Sequence, residues 1–508
     1  HPHSHALGVL ARESQHVNLP GLTREEVAQF IAAVLGTSPP TELVTSVHER
    51  TEGNPFFVSE LVHVLTSEGR LHGSVDTMFQ DIGLPQSVRA TIRRRLTRVS
   101  HDCRRLLARA AVIGREFTID VLQEVSALSE PSHPLLPFPL LDEALATRLI
   151  EHTGDNVTRY RFLHALVRET LYGDIASTER AHLHRLVGEA VERRYHTYLR
   201  PYLAELADHF LKAAQEGTIE KAVRYLTQAG ERADALLAYE EAAVHYERAL
   251  TVLPLQETTE EQRCDLLLAL GDTCAKAGDT LRAREAFQQA AAIARKRRAA
   301  ERLAQAALGY GGRGGWGEGG IMDDALVRVL EEALAELPHH ESPLRARLLA
   351  RLSTSLYWSL APHAAERREA LNNHALTSAR RLQDPATRAY ILMTRHVAVW
   401  SADNVAERLA IATEMIELAG KVGNRELALW GHVWRYADLL ELGDASAVAR
   451  EGLALERMAA ELRQPAELVL VVVVVECAPV GHVDTRHQHA TARCGDDPGI
   501  GIGVARCR

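Results

Sequence analysis

From about residue 200 onward the sequence has an almost unbroken helical period rich in Ala and Leu, and a frame of small and aromatic residues recurs within it. Each copy has a glycine in one helix, then Ala, an aromatic residue and Ala in the next. The two copies are Gly230, Ala242, Tyr246 and Ala249, and, displaced by 41 residues, Gly271, Ala283, Phe287 and Ala290. A unit of two helices cannot bury its apolar face alone, so such a chain must stack its units.

The spacing of this frame is typical of tetratricopeptide units, because small residues let two helices approach closely and the aromatic ring fills the gap. We predict a mainly α protein whose tetratricopeptide-like, right-handed α-superhelix continues to about residue 465. Later helices are expected at 323–337, 344–360, 365–382, 386–400, 405–421, 425–441 and 445–462. The glycine-rich stretch 309–320 is predicted to be a loop, and it lacks the Gly-Lys-Ser/Thr of a phosphate-binding loop.

The composition of the chain limits its expected compartment and partners. Its 508 residues have a formal net charge of −9, which gives no reason to expect nucleic acid or an anionic membrane as the main partner. The six cysteines show no CxxC spacing, so a reducing compartment is expected. The longest apolar run, 468–475, is far shorter than the ~20 residues of a membrane-spanning helix. We therefore expect a cytoplasmic protein with no membrane partner.

The first 195 residues predict short helices and one β-hairpin. Thr23 and Glu26 form a capping box at the start of an apolar helical stripe. The segment LIEHTGDNVTRYRFLH has two strand-like runs around the turn residues 153–156. Helices are expected at 22–35, about 41–50, after the turn TEGNP, at 84–99, from Ser100 onward, at 118–126 and at 139–147. Helices followed by a hairpin wing predict a winged-helix domain.

Six strings, in this order, resemble a known family: TEGNPFFVSEL, LPQSVRATIRRRL, AAVIGREF, YRFLHALVRETLY, AELADHFLKAA and YEEAAVHYERAL. The sequence is similar to the signal-transduction ATPases with numerous domains, and more narrowly to bacterial members with an AAA-type module followed by tetratricopeptide-like repeats. The similarity covers about residues 17–465. It implies a helical lid from the C-terminal part of the ATPase module (1–80), a winged helix (81–195), repeats (196–465) and an irregular tail that departs from the family (466–508).

The resemblance implies nucleotide contacts at two places. In the family the Gly-x-Pro turn, here Gly53, Asn54 and Pro55, lies against the adenine of ATP or ADP; Pro offers a rigid apolar face and Gly lets the backbone come close. The winged-helix histidine, here His164, contacts the phosphates and holds the resting ADP form closed. Without the family, a Gly-Asn-Pro turn is a common helix start, and a lone histidine more often satisfies a local hydrogen bond.

The function that the resemblance implies is regulation. The repeats would sense a protein or small-molecule inducer, and the winged helix would pass that state to an ADP/ATP switch that controls a cyclase, kinase or transcription-factor domain. In the family the Walker A loop, the Mg²⁺-binding acidic strand and the sensor arginine lie upstream, and no GxxxxGK[ST] occurs in this sequence. We expect a segment that begins mid-protein, with the ATPase core and effector in cis, no catalytic residues of its own and at best weak nucleotide affinity. A truncated or shifted reading frame would explain the tail.

Two other functions fit the same residues. A free-standing repeat scaffold would bind partner proteins in a concave groove. A DNA-binding regulator is the third possibility, although the chain is acidic overall and shows no wider basic field, so nucleic acid is not an expected partner. The arginines that suggest DNA binding are Arg89, Arg93, Arg94, Arg95, Arg98, Arg104, Arg105, Arg109 and Arg115. No metal is expected, since His182 and His184 are two apart on a helix and face different ways.

Overall fold

The computed structural model describes residues 21–67, 86–130, 132, 135–153, 156–253, 259–312 and 322–462. They group into two compact units: one holds the described residues up to Leu236 with those of Val244–Thr259, the other Leu237–Ala243 with those from Glu260. The described residues are mainly helical, as predicted. The tail 466–508 and most of the glycine-rich loop lie outside them. The domain boundaries expected at 80, 195 and 465 stay predictions.

The first unit begins with three helices, α1 (Arg24–Leu35), α2 (Thr41–Thr51) and α3 (Pro55–Ser67). The predicted capping box starts α1: Thr23 Oγ1 accepts from the Glu26 N–H at 3.2 Å, and Glu26 Oε2 accepts from the Thr23 N–H at 2.7 Å. The apolar faces of the three helices share one small core. Its buried members are Val27, Ile31, Leu43, Val44, Val47, Val58, Leu61, Val62 and Leu65.

Four helices and a small sheet follow in the same unit: α4 (Gln86–Leu96), α5 (His101–Ile113), β1 (Glu116–Thr118), α6 (Ile119–Ser129), α7 (Pro137–Ala146), β2 (Ile150–Thr153) and β3 (Asn156–Phe162). Ser100 caps α5 as expected, its Oγ accepting from the Cys103 N–H at 3.1 Å. The strands pair antiparallel in the order β1-β3-β2, so β2 and β3 form the predicted hairpin. Strand β1 was not predicted, because three residues are too few to show alternation.

Further helices continue the chain from the hairpin into the repeats. They are α8 (Ala165–Asp174), α9 (Ser177–Arg194), α10 (Leu203–Lys212), α11 (Ile219–Ala235) and α12 (Tyr239–Val252), with 3₁₀ turns at Arg200–Tyr202 and Ala214–Glu216. Consecutive helices pack on each other: α9 on α10, and α10 on α11.

The described part of the second unit is made of helices that pack pairwise along the chain, in a repeat-like arrangement. The seven later helices lie where the period predicted them, although the helix expected at 344–360 ends at Ser355. The predicted loop from 309 starts later, because the helix Ala300–Tyr310 continues through its first two positions. The helices are α13 (Glu260–Ala277), α14 (Thr280–Arg297), α15 (Ala300–Tyr310), α16 (Asp324–Glu336), α17 (Pro343–Ser355), α18 (Ala364–Leu382), α19 (Pro385–Ala398), α20 (Val405–Val422), α21 (Arg425–Leu442) and α22 (Ala445–Leu462).

The glycine–aromatic frame brings the helices together as predicted. A Cβ added at Gly230 would lie 2.7 Å from the Tyr246 ring, and one at Gly271 would lie 2.8 Å from the Phe287 ring. The sequence did not predict a third pair: a Cβ at Gly188, in α9, would lie 2.7 Å from the Phe210 ring in α10. The same packing therefore joins helices on both sides of residue 195. Among the described helices, none is both long enough and apolar enough to cross a membrane.

Candidate functional site

The turn between α2 and α3 contains three of the four predicted site residues. α2 ends at Thr51, and Glu52 and Gly53 both have a left-handed backbone, with φ of 50° and 69°. Asn54 then caps α3, since its Oδ1 accepts from the N–H groups of Phe56 at 3.1 Å and Phe57 at 3.4 Å. Pro55 is the first residue of α3, where a missing N–H does no harm, and it is exposed.

Gly53 is required by its surroundings as well as by its φ. Its carbonyl oxygen accepts from the Leu22 N–H at 2.7 Å, which ties the turn to the start of the unit. A Cβ added at Gly53 would overlap the carbonyl oxygen of Leu22 and lie 2.7 Å from its nitrogen. The glycine therefore lets two backbone segments lie in direct contact.

His164 lies beside this turn, although the two are far apart in sequence. It is the residue before α8, and its side chain is 18% exposed. Its Nδ1 is 3.4 Å from Glu52 Oε2, and its ring meets the Phe57 ring edge-on at a centroid distance of 5.9 Å. No described residue makes a hydrogen bond with this buried Nδ1. His164 thus contacts both sides of the turn, and its buried Nδ1 faces the Glu52 carboxylate.

Glu52 links the turn to the sheet region. Its Oε1 accepts from Arg115 Nη2, and Arg115 lies just before β1. One carboxylate is therefore shared by Arg115 and His164. Sequence reasoning did not identify Glu52, Arg115 or Phe57 as site residues. All three lie inside the matching strings, but the spacing along the chain gave no sign that they meet.

Helix α8, which follows His164, is held by two further arginines. Arg50 Nη1 in α2 lies 3.7 Å from Glu169 Oε1, and Arg168 Nε donates to the Ala111 carbonyl of α5 at 2.9 Å. Burial raises the pKa of Glu169, against the opposing effect of Arg50 and Arg168. Burial also lowers the pKa of Arg168. The position of His164 is thus set by the ion pair of α8 with α2 and by the hydrogen bond of α8 with α5.

Each predicted site residue therefore has a structural role. Gly53 allows a close backbone contact and Asn54 caps α3. Pro55 is the first residue of α3, and His164 packs beside the Glu52 carboxylate. The arrangement offers a rigid turn, an exposed proline face and a partly buried imidazole. In the part of the chain that the structure describes, no group of three or more His, Cys, Asp or Glu residues could hold a metal ion. The groups of this site can bind a ligand through hydrogen bonds and charge.

Comparisons with known proteins match small parts or match weakly. A family model described as Domain of unknown function (DUF8739) matches residues 23–69, which include α1 to α3 and the turn but not His164. No curated protein sequence matches the chain significantly. The chain is similar to the crystal structure of a Signal Transduction ATPase with Numerous Domains (STAND) protein with a tetratricopeptide repeat sensor from Pyrococcus horikoshii, at 13% identity and a TM-score of 0.34, over 91% of this chain and 70% of that one. It is also similar to a circular tandem repeat protein with novel repeat topology, at 15% identity and a TM-score of 0.16, over 90% of this chain and 96% of that one.

Proposed function

We propose that this chain is a regulatory segment of a multidomain signalling ATPase. Its helical repeats bind a protein or small-molecule inducer. Its first unit contacts the nucleotide, ADP or ATP with Mg²⁺, that an ATPase core in cis binds. The state of the nucleotide then controls an effector domain. The chain itself supplies contacts to the nucleotide and no catalytic group.

The observation that carries this proposal is the meeting of His164 with the Glu52–Pro55 turn in one unit. The resemblance implied that these two segments bind one nucleotide, and that is possible only if they are neighbours. The 3.4 Å approach of His164 Nδ1 to Glu52 Oε2 meets that requirement. The exposed Pro55 leaves a flat apolar surface for a base, and the imidazole of His164, which is 18% exposed, can serve a phosphate oxygen.

The experiment is a His164→Ala change in the intact protein, with ADP affinity and output measured together without inducer. Loss of a hydrogen bond to a phosphate removes roughly 0.5–3 kcal/mol, so ADP should bind several-fold to a hundred-fold more weakly. Because a bound ADP favours the closed form, basal output should rise. Photo-crosslinking from an azido group on adenine should label residues 53–57.

The matched control is His101→Ala, since His101 is an exposed histidine of the same unit with a side chain that is 75% exposed. It should leave ADP affinity and output unchanged. A folded His164→Ala variant with unaltered ADP affinity would show that His164 only packs beside Glu52. Crosslinks confined to other parts of the protein would reject the role of the turn.

A free-standing scaffold is the second candidate, and a cavity in the second unit favours it. The cavity measures about 390 Å³ and lies among α14, α15 and α16. Phe287, Ala306 and Val329 give it an apolar lining, and the ion pair of Arg295 Nε and Glu332 Oε1, at 2.6 Å, lies at its edge. Partner binding that does not change with nucleotide would favour the scaffold over the switch.

DNA binding gains less support, because several of the arginines that suggested it are paired within the unit. Arg93 pairs with Asp174 at 2.5 Å, and Arg109 pairs with Glu130 at 2.5 Å. Arg105 also binds Glu130, and Arg115 binds Glu52. Guanidinium groups that hold carboxylates of the same chain are not free to neutralise DNA phosphates.

A further inference from the structure

A cavity of the first unit, outside the turn and His164, lies among α8, α9 and α10 and has a volume of about 360 Å³. Its polar lining residues are Tyr172, Ser177, Arg180, His184, Lys212 and Gln215. Among the described residues, the lining thus contains two cations, two hydroxyl groups, an amide and an imidazole, and no carboxylate.

The charges around this cavity leave an excess of positive charge. Arg180 has no carboxylate partner among the described residues; its guanidinium lies over the Tyr172 ring at 5.0 Å. Arg168 lies over the same ring at 5.6 Å. Lys212 Nζ is 2.6 Å from Asp208 Oδ2, but Arg248 also binds Asp208, at 3.0 Å. Asp208 therefore serves both Lys212 and Arg248, Glu169 lies near Arg168, and neither carboxylate pairs with Arg180.

The start of α9 adds uncapped N–H groups. Ser177 is the first residue of this 18-residue helix, and the capping position is Ala176, which has no side-chain oxygen to accept a hydrogen bond. The first-turn N–H groups of a helix carry partial positive charge and favour anions. Ser177 lines the cavity, so this end of α9 and Arg180, one turn further on, are at the same place.

The base of the cavity is a buried chain of hydrogen bonds. The Tyr172 hydroxyl is 2.8 Å from His184 Nε2, and His184 Nδ1 is 2.8 Å from His209 Nδ1. Burial lowers the pKa of His184 to about 3 and that of His209 to about 4, so both rings are neutral near pH 7. Only one of the facing Nδ1 atoms then carries hydrogen. When it belongs to His209, His184 Nε2 donates to Tyr172, and the Tyr172 hydroxyl is free to donate into the cavity.

We propose that this cavity binds the phosphate group of a small phosphate ester, held by Arg180 and Lys212 and by the neutral donors of Ser177, Tyr172 and the α9 N-terminus. A phosphate has three oxygens that accept hydrogen bonds in different directions, which suits donors spread over three helices better than a flat carboxylate would. A water molecule takes up about 30 Å³ of liquid, so the cavity has room for the organic part of an ester as well.

This site deepens the proposed regulatory function, and only its regulatory role rests on that proposal. Tyr172 and His164 are joined by one helix, since α8 begins directly after His164 and contains Tyr172 near its other end. A ligand that holds Tyr172 against Arg180 restrains α8, and thereby the position of His164 beside Glu52. Binding of a phosphate ester would in this way change nucleotide affinity.

The test is calorimetric titration of the 508-residue chain with phenyl phosphate, inorganic phosphate and benzoate at low ionic strength. Phenyl phosphate should bind saturably, and Arg180→Gln or Lys212→Gln should each weaken it at least tenfold. Arg180→Lys should retain part of the affinity, because it keeps the charge. Arg193→Gln is the control, since Arg193 lies on the same helix but pairs with Glu124 at 2.9 Å.

If phenyl phosphate binds more tightly than inorganic phosphate, the ligand is a phosphate ester. If the two bind equally, the site is supported and its ligand is free phosphate. Equal binding of benzoate, or affinity that neither Gln variant lowers, overturns the proposal. Circular dichroism melting confirms that the variants fold, as expected for side chains that are not fully buried. These results do not depend on ADP, so a His164→Ala variant with normal ADP affinity would reject the nucleotide contact and leave this site standing.

Discussion

Glu52 is the carboxylate on which the charged contacts of the turn meet, because Arg115 and His164 both approach it. A phosphate that reached His164 would bring negative charge next to Glu52. Arg115 is the cation in place to offset that repulsion, since it already lies on the carboxylate. The turn therefore brings one carboxylate together with Arg115 and His164, and a bound phosphate would change the balance of charge among them.

The contact of Gly53 with Leu22 predicts a large cost for a side chain there. In Gly53→Ala, the left-handed φ of 69° and the overlap with the Leu22 carbonyl act together, so the free energy of unfolding should fall by about 3 kcal/mol or more. Gly36→Ala is the matched control: its φ is 72°, but nothing lies within 4 Å of the added Cβ, so about 1 kcal/mol is expected. Urea unfolding measures both. Equal losses would mean that the Leu22 segment moves aside freely.

The buried pair His184 and His209 predicts a dependence of stability on pH. Unfolded histidines bind protons near pH 6.5, whereas the folded pair stays neutral down to about pH 4 and 3. Between pH 6.5 and 4 the unfolded chain thus holds more protons, and stability falls as pH falls, by about 1 kcal/mol per unit for each histidine. Urea midpoints at pH 7, 6 and 5 test this. His184→Gln should flatten the slope, and His101→Ala should not; an unchanged slope in His184→Gln contradicts the assignment.

At the scale of helices, the glycine–aromatic contacts decide how closely neighbours pack. Gly271→Ala in α13 should destabilise the chain by about 2 kcal/mol, because its Cβ would lie 2.8 Å from the Phe287 ring. Gly420→Ala is the control, since Gly420 is also helical but has nothing within 4 Å of an added Cβ. It should be neutral or stabilising by a few tenths of a kcal/mol, because Ala is the better helix former. Thermal unfolding compares them, and similar effects would show that α13 and α14 can separate at no cost.

The long helices were predictable because a 3.6-residue period repeats several times within each, and the pair Gly271 and Phe287 followed from a fixed spacing. The pair Gly188 and Phe210 was missed because 22 residues separate the two, against 16 in the other pairs, with the turn Arg200–Tyr202 between them. Strand β1 was too short to show a pattern. The contacts of Glu52 with Arg115 and of His184 with His209 could not be predicted, since no local period links residues so far apart.

At the scale of the molecule, the proposed nucleotide contacts and the phosphate-ester cavity both lie in the first unit. Helix α8 is common to them, with His164 before its first residue and Tyr172 in its last turn. The second unit contributes repeat helices and the cavity among α14, α15 and α16, whose lining is part apolar and part charged. The proposed anion contacts and the cavity among α14, α15 and α16 thus belong to different units.

The chain should not hydrolyse ATP by itself. Phosphoryl transfer requires a backbone cradle, a lysine at the β- and γ-phosphates and a held Mg²⁺ ion, and the sequence contains no GxxxxGK[ST] to supply them. His164 and the turn would contact a nucleotide without activating water. Phosphate release by the purified chain with ATP and Mg²⁺ should therefore equal that of a blank, and it should not change in His164→Ala. ATP turnover above the blank, if a substitution in this chain abolished it, would contradict the proposal. It would mean that catalysis is not confined to a separate ATPase core.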